Sequence, residues 1–270
     1  MCGNALAARC VHLPTQRNGR PLILDKPRLA VPPLVPPREM SLFLDLDGTL
    51  LDLVDDPGSV VADASLRGLL TRVTERLDGR VAIVSGRSIA QMDAILGPLA
   101  HELAISGSHG SEHRWQGIAA HPVRPPALDE AHARLRDFAD AHAGVRVEDK
   151  SYGVALHYRT APTIEPEVRT LAAELAEALN LQFQPGKMMA ELRLPGGDKG
   201  KAVRMLMGRA PMAGTRPFFL GDDDTDEPGF VAARDLGGAG ILVGSRTVTA
   251  ALYALPDPAS VHDWLARITA

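Results

Sequence analysis

The sequence predicts an α/β fold in which a parallel sheet, covered by helices on both faces, carries an inserted α+β domain. Short apolar runs such as VAIVSG, PFFLGD and GILVG alternate with stretches whose apolar residues have helical spacing. Continuous apolar strands separated by helices are typical of a parallel sheet that is buried on both sides. In the middle of the chain the predicted strands follow one another closely, which favours an antiparallel sheet with helices on one face.

The predicted elements of the parallel part lie in two separate stretches of the chain. The first stretch has strands at SLFLDLD, VAIVSG and LAISG, with helices at SLRGLLTRVTERL and SIAQMDAIL. The second has helices at KGKAVRMLMG and DEPGFVAARDL, with strands at PFFLGD and GILVG. In sheets of this kind, ligands bind beyond the carboxyl ends of the strands.

The middle stretch predicts a domain of its own. EHRWQGIAAHPV indicates a hairpin, ALDEAHARLRDFADAH and EPEVRTLAAELAEALN indicate helices, and VRVED, YGVALHYR, LQFQP and MMAELRL indicate strands. We therefore divide the chain into a core at 41–111 and 195–270 and an inserted cap domain at 112–194. Residues 1–40 precede both as an extension, whose prolines predict an extended linker.

Composition limits the classes of function. The chain has 270 residues, of which 45% are hydrophobic and 23% charged, and its formal net charge is -4. An acidic balance argues against a general nucleic-acid or membrane-surface binder, which needs a basic face. No apolar run is long enough to span a bilayer, and we expect a cytoplasmic protein. We also expect a monomer that acts on a small molecule.

Asp45 and Asp47 interrupt the apolar run SLFLDLDGTLLD. Residues i and i+2 of a strand point to the same side, so both carboxylates should face one place at the strand's carboxyl end. A buried carboxylate without a partner is very costly, which predicts a cation nearby. The pair alone could equally be solvated at the strand tip.

Two further positions follow in chain order. Ser85 ends the strand VAIVSG, where a hydroxyl and the amides of a helix start can hold phosphate oxygens, although helix capping explains a single serine as well. Lys199 begins a helix after two glycines. The helix dipole disfavours a lysine there, so we interpret Lys199 as a partner of phosphate and carboxylates; the alternative is a surface lysine.

A third position is the acidic run GDDDTDE. Asp222, Asp223, Asp224, Asp226 and Glu227 crowd one strand end, and like charges at this density repel unless a cation intervenes. Oxygen ligands of this kind suit Mg²⁺. A helix start favours acidic residues and explains Asp226 and Glu227, but it does not explain the whole run.

The ordered set DLDGTL, VSGR, DKGKA and GDDDTDE resembles the haloacid dehalogenase-like phosphatases, which have a Rossmann-like hydrolase core with a cap. The resemblance implies an aspartate nucleophile, Asp45, and a general acid and base, Asp47. It implies Mg²⁺ held by the Asp45 carboxylate, the Asp47 carbonyl and Asp222, and it implies phosphoryl binding by Ser85 and Lys199. Asp223 and Asp226 would orient metal-bound waters or Lys199.

The position of the insertion narrows the class. One helix and one strand fill the interval between Gly48 and Ser85, whereas the interval from Ser85 to Lys199 can hold a domain. Within it, SGSHGSEHR, EDKSYGVALHYR and GKMMAELRL are similar to stretches of the trehalose-6-phosphate phosphatases, over about residues 41–265; Leu194 replaces a proline common in that family. The substrate-binding residues that this resemblance implies are Gly48, Arg87, His109, Lys150, Lys187 and Glu191.

Three functions remain open at this point. The first is a Mg²⁺-dependent phosphatase that releases trehalose from its 6-phosphate. The second is another sugar phosphatase or a phosphomannomutase-like enzyme with the same kind of cap. The third is a catalytically silent sugar-binding subunit, although such a protein should lack Asp45, Asp47 or Lys199.

Overall fold

A computed structural model of the chain describes residues 29–54, 60–116, 118–120, 122–186 and 188–270. In chain order its strands are β1 (Met40–Leu44), β2 (Val81–Val84), β3 (Ala104–Gly107), β4 (Glu112–Trp115), β5 (Ile118–Ala120), β6 (Arg146–Lys150), β7 (Gly153–His157), β8 (Gln182–Gly186), β9 (Met189–Arg193), β10 (Arg216–Gly221), β11 (Ala239–Val243) and β12 (Tyr253–Leu255). Its helices are α1 (Ala64–Arg76), α2 (Ile89–Leu96), α3 (Pro126–Ala141), α4 (Glu165–Ala178), α5 (Lys199–Met207), α6 (Glu227–Asp235) and α7 (Pro258–Ile268).

The predicted parallel sheet forms the larger of two sheets, in the order β12-β11-β10-β1-β2-β3-β4-β5. The strands from β12 to β3 pair in parallel, and β4 and β5 add an antiparallel edge. The α/β fold class is therefore confirmed. The order places β1 in the interior of the sheet, with β10 on one side and β2 on the other, so the three strand ends that carry Asp45, Ser85 and Asp222 are neighbours.

Alternation along the central strands explains why both faces of this sheet are covered. Leu42 and Leu44 point into one apolar cluster, which includes residues of α1, α2 and α7, whereas Phe43 points into another with residues of α5 and α6. Because successive side chains of a strand point to opposite faces, a continuous apolar run needs helices on both sides. Strand β1, which leads to the site at the strand ends, is thus packed against helices on both faces of the sheet.

The second sheet is antiparallel, in the order β6-β7-β9-β8. Its apolar face packs with α3 and α4 around a separate core that contains Leu128, Leu135, Leu156, Val168 and Leu192. This α+β unit is the one expected for the cap.

The sequence predicts the hairpin β4–β5 as part of the cap, but its strands pair with the large sheet. Ser106 of β3 pairs with His113 of β4, so the hairpin continues the large sheet. The α+β unit itself begins with α3. A hairpin's local pattern fixes its turn and alternation but does not specify which sheet edge it joins, and this explains the difference.

Two C-terminal elements, β12 and α7, were not predicted. Helix α7 begins after the N-cap Asp257, whose side chain accepts from Ser260 N, and buries Trp264 and Leu265 against the same cluster as α1. His262 Nε2 lies 2.8 Å from the Leu50 carbonyl oxygen, which ties α7 to the turn that follows Asp47. No helix within the described ranges is both long and apolar enough to cross a membrane.

Replacing Trp264 by alanine is expected to reduce the free energy of unfolding by about 3–5 kcal/mol, because the indole is nearly fully buried and leaves a cavity. Urea unfolding followed by circular dichroism measures this loss. Arg267→Ala, at an exposed position of the same helix, should change the value by less than about 0.5 kcal/mol. Equal effects of both substitutions would contradict the packing described for α7.

Candidate active site

The two acidic strand ends lie side by side. Asp45 directly follows β1, Asp222 directly follows β10, and Leu44 is paired with Leu220 in the parallel register between these strands. The Asp45 amide also donates to the Leu220 carbonyl at 2.9 Å, which fixes the start of the loop carrying Asp47. Asp45, 4% exposed, is buried at this junction.

Lys199, at the first position of α5, joins this junction from the other side of the insertion. Its Nζ lies 2.8 Å from Asp45 Oδ1 and 2.7 Å from Asp226 Oδ1. Burial alone would lower the pKa of the Lys199 ammonium, but the carboxylates of Asp226 and Asp45 outweigh it and raise that pKa above its ordinary value. Lys199 is therefore a buried cation held between two carboxylates, not a surface lysine.

Asp226 organises the acidic loop after β10. Its Oδ2 accepts from the amides of Asp222 at 2.9 Å and Asp223 at 3.1 Å, while its Oδ1 accepts from Lys199. Burial raises the pKa of Asp226 to about 6, although Lys199 opposes the rise. Asp223 acts differently: its Oδ1 accepts from Thr225 N and Oγ1 and so caps the following turn.

Gly48 lets the loop after β1 approach Asp222. A Cβ on Gly48 would lie 2.2 Å from Asp222 Oδ2, and the residue has φ of +77°, a region that glycine enters without strain. Burial and the nearby Asp223 and Asp226 raise the pKa of Asp222 to about 7. Gly48 is therefore needed for the close packing of the two acidic loops.

The acidic junction fits a divalent cation. Asp45, Asp222 and Asp226 each offer one carboxylate oxygen, and these oxygens all lie within 4.8 Å of one another. Asp226 already accepts three hydrogen bonds, which leaves Asp45 and Asp222 as the better ligands. The raised pKa of Asp222 agrees with a cation site, because carboxylates that face one another repel unless positive charge lies between them.

Ser85 lies at the carboxyl end of β2, beside β1. The residue is buried, its amide donates to the Ser106 carbonyl at 2.9 Å, and its own carbonyl accepts from His109 N at 3.0 Å. Its Oγ accepts from the Arg87 amide at 3.2 Å. Capping of α2 belongs instead to Ser88, whose side chain accepts from Gln91 N, so the capping alternative for Ser85 is wrong.

Arg87 and Asp47 form a two-point ion pair across the mouth of the site. Arg87 Nε donates to Asp47 Oδ2 at 2.6 Å, and Nη2 donates to Asp47 Oδ1 at 2.7 Å. Such a planar pair fixes both orientation and charge. The Asp47 carboxylate is therefore directed at Arg87, just before α2, while Lys199 contacts Asp45 and Asp226.

The cap contributes a second set of charged groups. Lys150 Nζ lies 2.9 Å from Glu191 Oε2 and 3.9 Å from Glu148 Oε2, and His157 Nε2 lies 2.9 Å from the same Glu148 oxygen. Burial alone would raise the pKa of Glu191, but Lys150 and His109 bring it below its ordinary value. Glu191 is thus an ionised carboxylate, ready to accept hydrogen bonds.

Two contacts connect these cap residues with the core. His109 Nε2 lies 3.9 Å from Glu191 Oε2, and Gln91 Nε2 donates to Glu148 Oε1 at 3.4 Å. Burial lowers the pKa of His109 despite the nearby Glu191, which favours a neutral ring between the two units. Lys187, the remaining expected substrate-binding residue, lies outside the described residues.

A cavity of about 290 Å³ lies behind Lys199, between the cap strands and the acidic loop. Gln184 and Arg193 line it from the cap, and Lys199, Lys201 and Asp224 line it from the core. Residues of the cap and of the core thus border one polar space, which reaches Lys199.

Three residues of this region were not singled out from the sequence: Glu148, Gln91 and Arg193. Glu148 is two residues before Lys150 on one strand, so alternation alone would have put both on the same face. Gln91 donates to Glu148, which is distant in the chain, and Arg193 donates to the Gly197 carbonyl across the loop between β9 and α5. The local pattern of apolar and polar residues does not predict either contact.

The site and the fold together define the class. The structure is similar to that of a haloacid dehalogenase-like hydrolase from Bacteroides thetaiotaomicron, with a TM-score of 0.62 over 85% of this chain and 99% of that one; at 16% identity the likeness concerns the fold. The parallel sheet with its α+β insertion is thus the fold of haloacid dehalogenase-like hydrolases, in agreement with the resemblance of the four sequence motifs.

Sequence comparison gives the family. The trehalose-phosphatase family model matches residues 43–259, and the chain belongs to that family. "Trehalose-6-phosphate phosphatase" of Escherichia coli strain K12 is 36% identical over 233 residues, which are 84% of this chain and 85% of the relative. A solved "trehalose-6-phosphate phosphatase related protein" matches with a TM-score of 0.73 and 29% identity, covering 85% of this chain and 96% of that one.

Lys199→Met is expected to reduce the free energy of unfolding at pH 8 by about 3–5 kcal/mol, since it leaves two buried carboxylates without their cation. At pH 5 the loss should be smaller, because carboxyls with raised pKa values, such as Asp226 at about 6, then take up protons. Urea titrations of the metal-free protein at both pH values measure the difference.

The matched control is Lys201→Met, on the same helix with a side chain 64% exposed. A small loss is expected there at either pH, since exposed ion pairs stabilise weakly. If the two variants lose equal stability, Lys199 does not neutralise the junction.

Proposed function

We propose that the chain is a Mg²⁺-dependent phosphatase that hydrolyses trehalose 6-phosphate to trehalose and inorganic phosphate through an aspartyl-phosphate on Asp45. The observation that carries the chemistry is the contact of Lys199 with Asp45 and Asp226 beside the Asp222 carboxylate. The choice of sugar is supported by membership of the family and by the activity for which the relatives are named. The ionised Glu191 between Lys150 and His109 adds a group suited to sugar hydroxyls.

The first chemical step forms the covalent intermediate. A carboxylate oxygen of Asp45 attacks phosphorus, the bond from phosphorus to the sugar oxygen breaks, and Asp47 gives its proton to that oxygen. Arg87 holds both oxygens of Asp47, so at least one of these bonds must be released before Asp47 can carry the proton. Lys199 and the Ser85 hydroxyl bind the transferring phosphoryl oxygens, where charge stabilisation supplies most of the catalysis.

The second step returns Asp45 to its starting state. Asp47 takes a proton from a water molecule, which attacks phosphorus and displaces the Asp45 carboxylate. The Asp45 carboxylate, the Asp47 carbonyl and Asp222 would hold Mg²⁺, which supplies positive charge to the phosphoryl oxygens. Asp226 and Asp223 keep the acidic loop and Lys199 oriented during both steps.

The cap selects the sugar in this proposal. Glu191 accepts hydrogen bonds from glucose hydroxyls, and Lys150 and Lys187 donate to sugar or phosphate oxygens. His109 and Arg87 line the entrance, and the Gly48 main chain, packed against Asp222, borders the phosphate in this proposal. For closure we retain a core of 41–111 and 195–270 and a cap of 112–194, except that the hairpin β4–β5, which pairs with the core sheet, stays with the core. The moving part of the cap then begins with α3.

The test is phosphate release from a panel of sugar phosphates, with and without EDTA. Trehalose 6-phosphate should be hydrolysed at least about tenfold more efficiently, as kcat/KM, than glucose, mannose or sucrose phosphates, and EDTA should abolish turnover. Asp45→Asn should remove activity without lowering Tm, since it deletes the nucleophile and leaves a residue of the same shape.

The same panel separates the alternatives. Equal activity on all the sugar phosphates would support a general sugar phosphatase. Isomer formation without phosphate release would support a mutase, and trehalose 6-phosphate binding without Mg²⁺-dependent turnover would support a silent sugar-binding subunit.

Stabilisation by Mg²⁺ should depend on pH. With a pKa of about 7 in the folded, metal-free protein, Asp222 holds its proton more tightly than in the unfolded chain, so its contribution to stability is present at low pH and lost as pH rises towards 7. Mg²⁺ needs the ionised carboxylate. The rise in Tm on adding MgCl₂ should therefore be larger at pH 8 than at pH 6, as differential scanning fluorimetry can measure.

Asp222→Asn provides the control for this measurement. The amide does not titrate, so the Mg²⁺-induced rise in Tm should be small and nearly independent of pH. A wild-type rise that is equal at both pH values would argue against Asp222 as a metal ligand.

A further inference from the structure

Arg124 lies in the linker that leads from β5 into α3, and its guanidinium group bonds to two elements of the cap. Nε donates to Asp129 Oδ1 at 2.8 Å in the first turn of α3. Nη2 donates to Asp149 Oδ1 at 2.7 Å, and Nη1 donates to the carbonyl oxygens of Lys150 and of Ser151, the latter at 3.2 Å. Arg124 therefore connects α3 with the turn between β6 and β7.

This set of contacts differs from an ordinary surface ion pair. An exposed pair adds little because two flexible side chains must be ordered for one contact. Here all three guanidinium nitrogens are engaged, two acceptors are main-chain carbonyls, and the Arg124 side chain is 26% exposed. A planar group with fixed donor directions can define the position of a turn in a way that a lysine cannot.

The turn held by Arg124 carries groups that contact Glu191. Lys150, whose carbonyl accepts from Arg124, places its Nζ 2.9 Å from Glu191 Oε2. Gly153, at the other end of the turn, approaches the same side chain so closely that a Cβ would lie 2.8 Å from Glu191 Oε1. A shift of the turn would therefore move the Lys150 ammonium and the main chain that borders Glu191 together.

We propose that Arg124 is a positioning residue for sugar recognition: it fixes the turn between β6 and β7 and so sets the Lys150 ammonium against the Glu191 carboxylate. This inference rests on the proposed function, in which Lys150 and Glu191 bind the sugar. Arg124 acts through the turn, since four of its five N–H donors bond to Asp129, Asp149 and the two carbonyls.

The kinetic test compares Arg124→Met with wild type on trehalose 6-phosphate and on p-nitrophenyl phosphate, an aryl ester that needs Asp45 but no sugar contact. The kcat/KM for trehalose 6-phosphate should fall at least about tenfold, mainly through a higher KM, because a misplaced binding group costs transition-state and ground-state contacts. The kcat/KM for the aryl ester should change less than about twofold. Glu191→Gln serves as a reference that should show the same selective loss.

Two further variants sharpen the comparison. Arg169→Met removes a cap arginine that pairs with Glu165 on α4 and should leave both substrates unchanged. Arg124→Lys keeps the charge but cannot reach four acceptors. Its kcat/KM for trehalose 6-phosphate should therefore lie between those of wild type and Arg124→Met. Full activity of Arg124→Lys would show that a positive charge alone suffices. That result would overturn the positioning role of the Arg124 guanidinium.

A substrate-free measurement separates this inference from the proposed function. Hydrogen exchange of the amides of residues 149–153 should accelerate at least about tenfold in Arg124→Met and stay unchanged in Arg169→Met. Unchanged exchange in Arg124→Met, or equal losses on both substrates, would overturn the proposal. If wild type shows no preference for trehalose 6-phosphate, the proposed function fails while exchange still decides whether Arg124 holds the turn.

Asp149→Asn replaces Arg124→Met if the latter does not fold. It removes one charged acceptor of the guanidinium and leaves the linker sequence intact. The same selective kinetic loss, about threefold or more, and faster exchange at the turn are expected, and the absence of both would overturn the proposal.

Discussion

The site depends on one buried cation placed between two carboxylates. Lys199 binds Asp45 and Asp226 at once, and these three residues come from segments that are far apart in the sequence. A buried charge is tolerated only when it is paired with good geometry, so the ends of β1 and β10 and the start of α5 must meet at one point. The packing of the large sheet, with helices on both faces, supplies that convergence.

The electrostatics of the cap are opposite in character to those of the core. In the core, burial dominates and leaves Asp222 and Asp226 with raised pKa values. In the cap, Lys150, together with His109 from the core, overcomes burial and brings the pKa of Glu191 below its ordinary value. An acidic junction that needs more positive charge thus faces a cap carboxylate that is already paired with a lysine, which suits a phosphate-metal end and a hydroxyl-rich end of one ligand.

Much of this arrangement could be predicted from the sequence because it follows from strand ends. Asp45, Ser85 and Asp222 each come directly after an apolar run, and parallel neighbours bring such residues to one edge. The pairing of Arg87 with Asp47 could not be predicted, since it depends on side-chain directions across the loop after β1. The start of α7 carries a helix signal, Asp257 followed by Pro258, which the sequence analysis did not use. The position of the hairpin β4–β5 could not be predicted, because local alternation does not identify the neighbouring strand.

The edge of the large sheet at β12 is covered by a segment that precedes β1. Ala30 forms a parallel bridge with Tyr253 of the three-residue strand β12, and the Ala254 amide donates to the Ala30 carbonyl. The residues that follow include Pro32, Pro33 and Pro36, which lack the amide hydrogens that a further strand would need. Ala30 therefore occupies the free edge of β12, and the prolines after it cannot lengthen this pairing into a further strand. A chain shortened to the start of β1 would lack Ala30, and we expect its β12 edge to be open to pairing with another molecule.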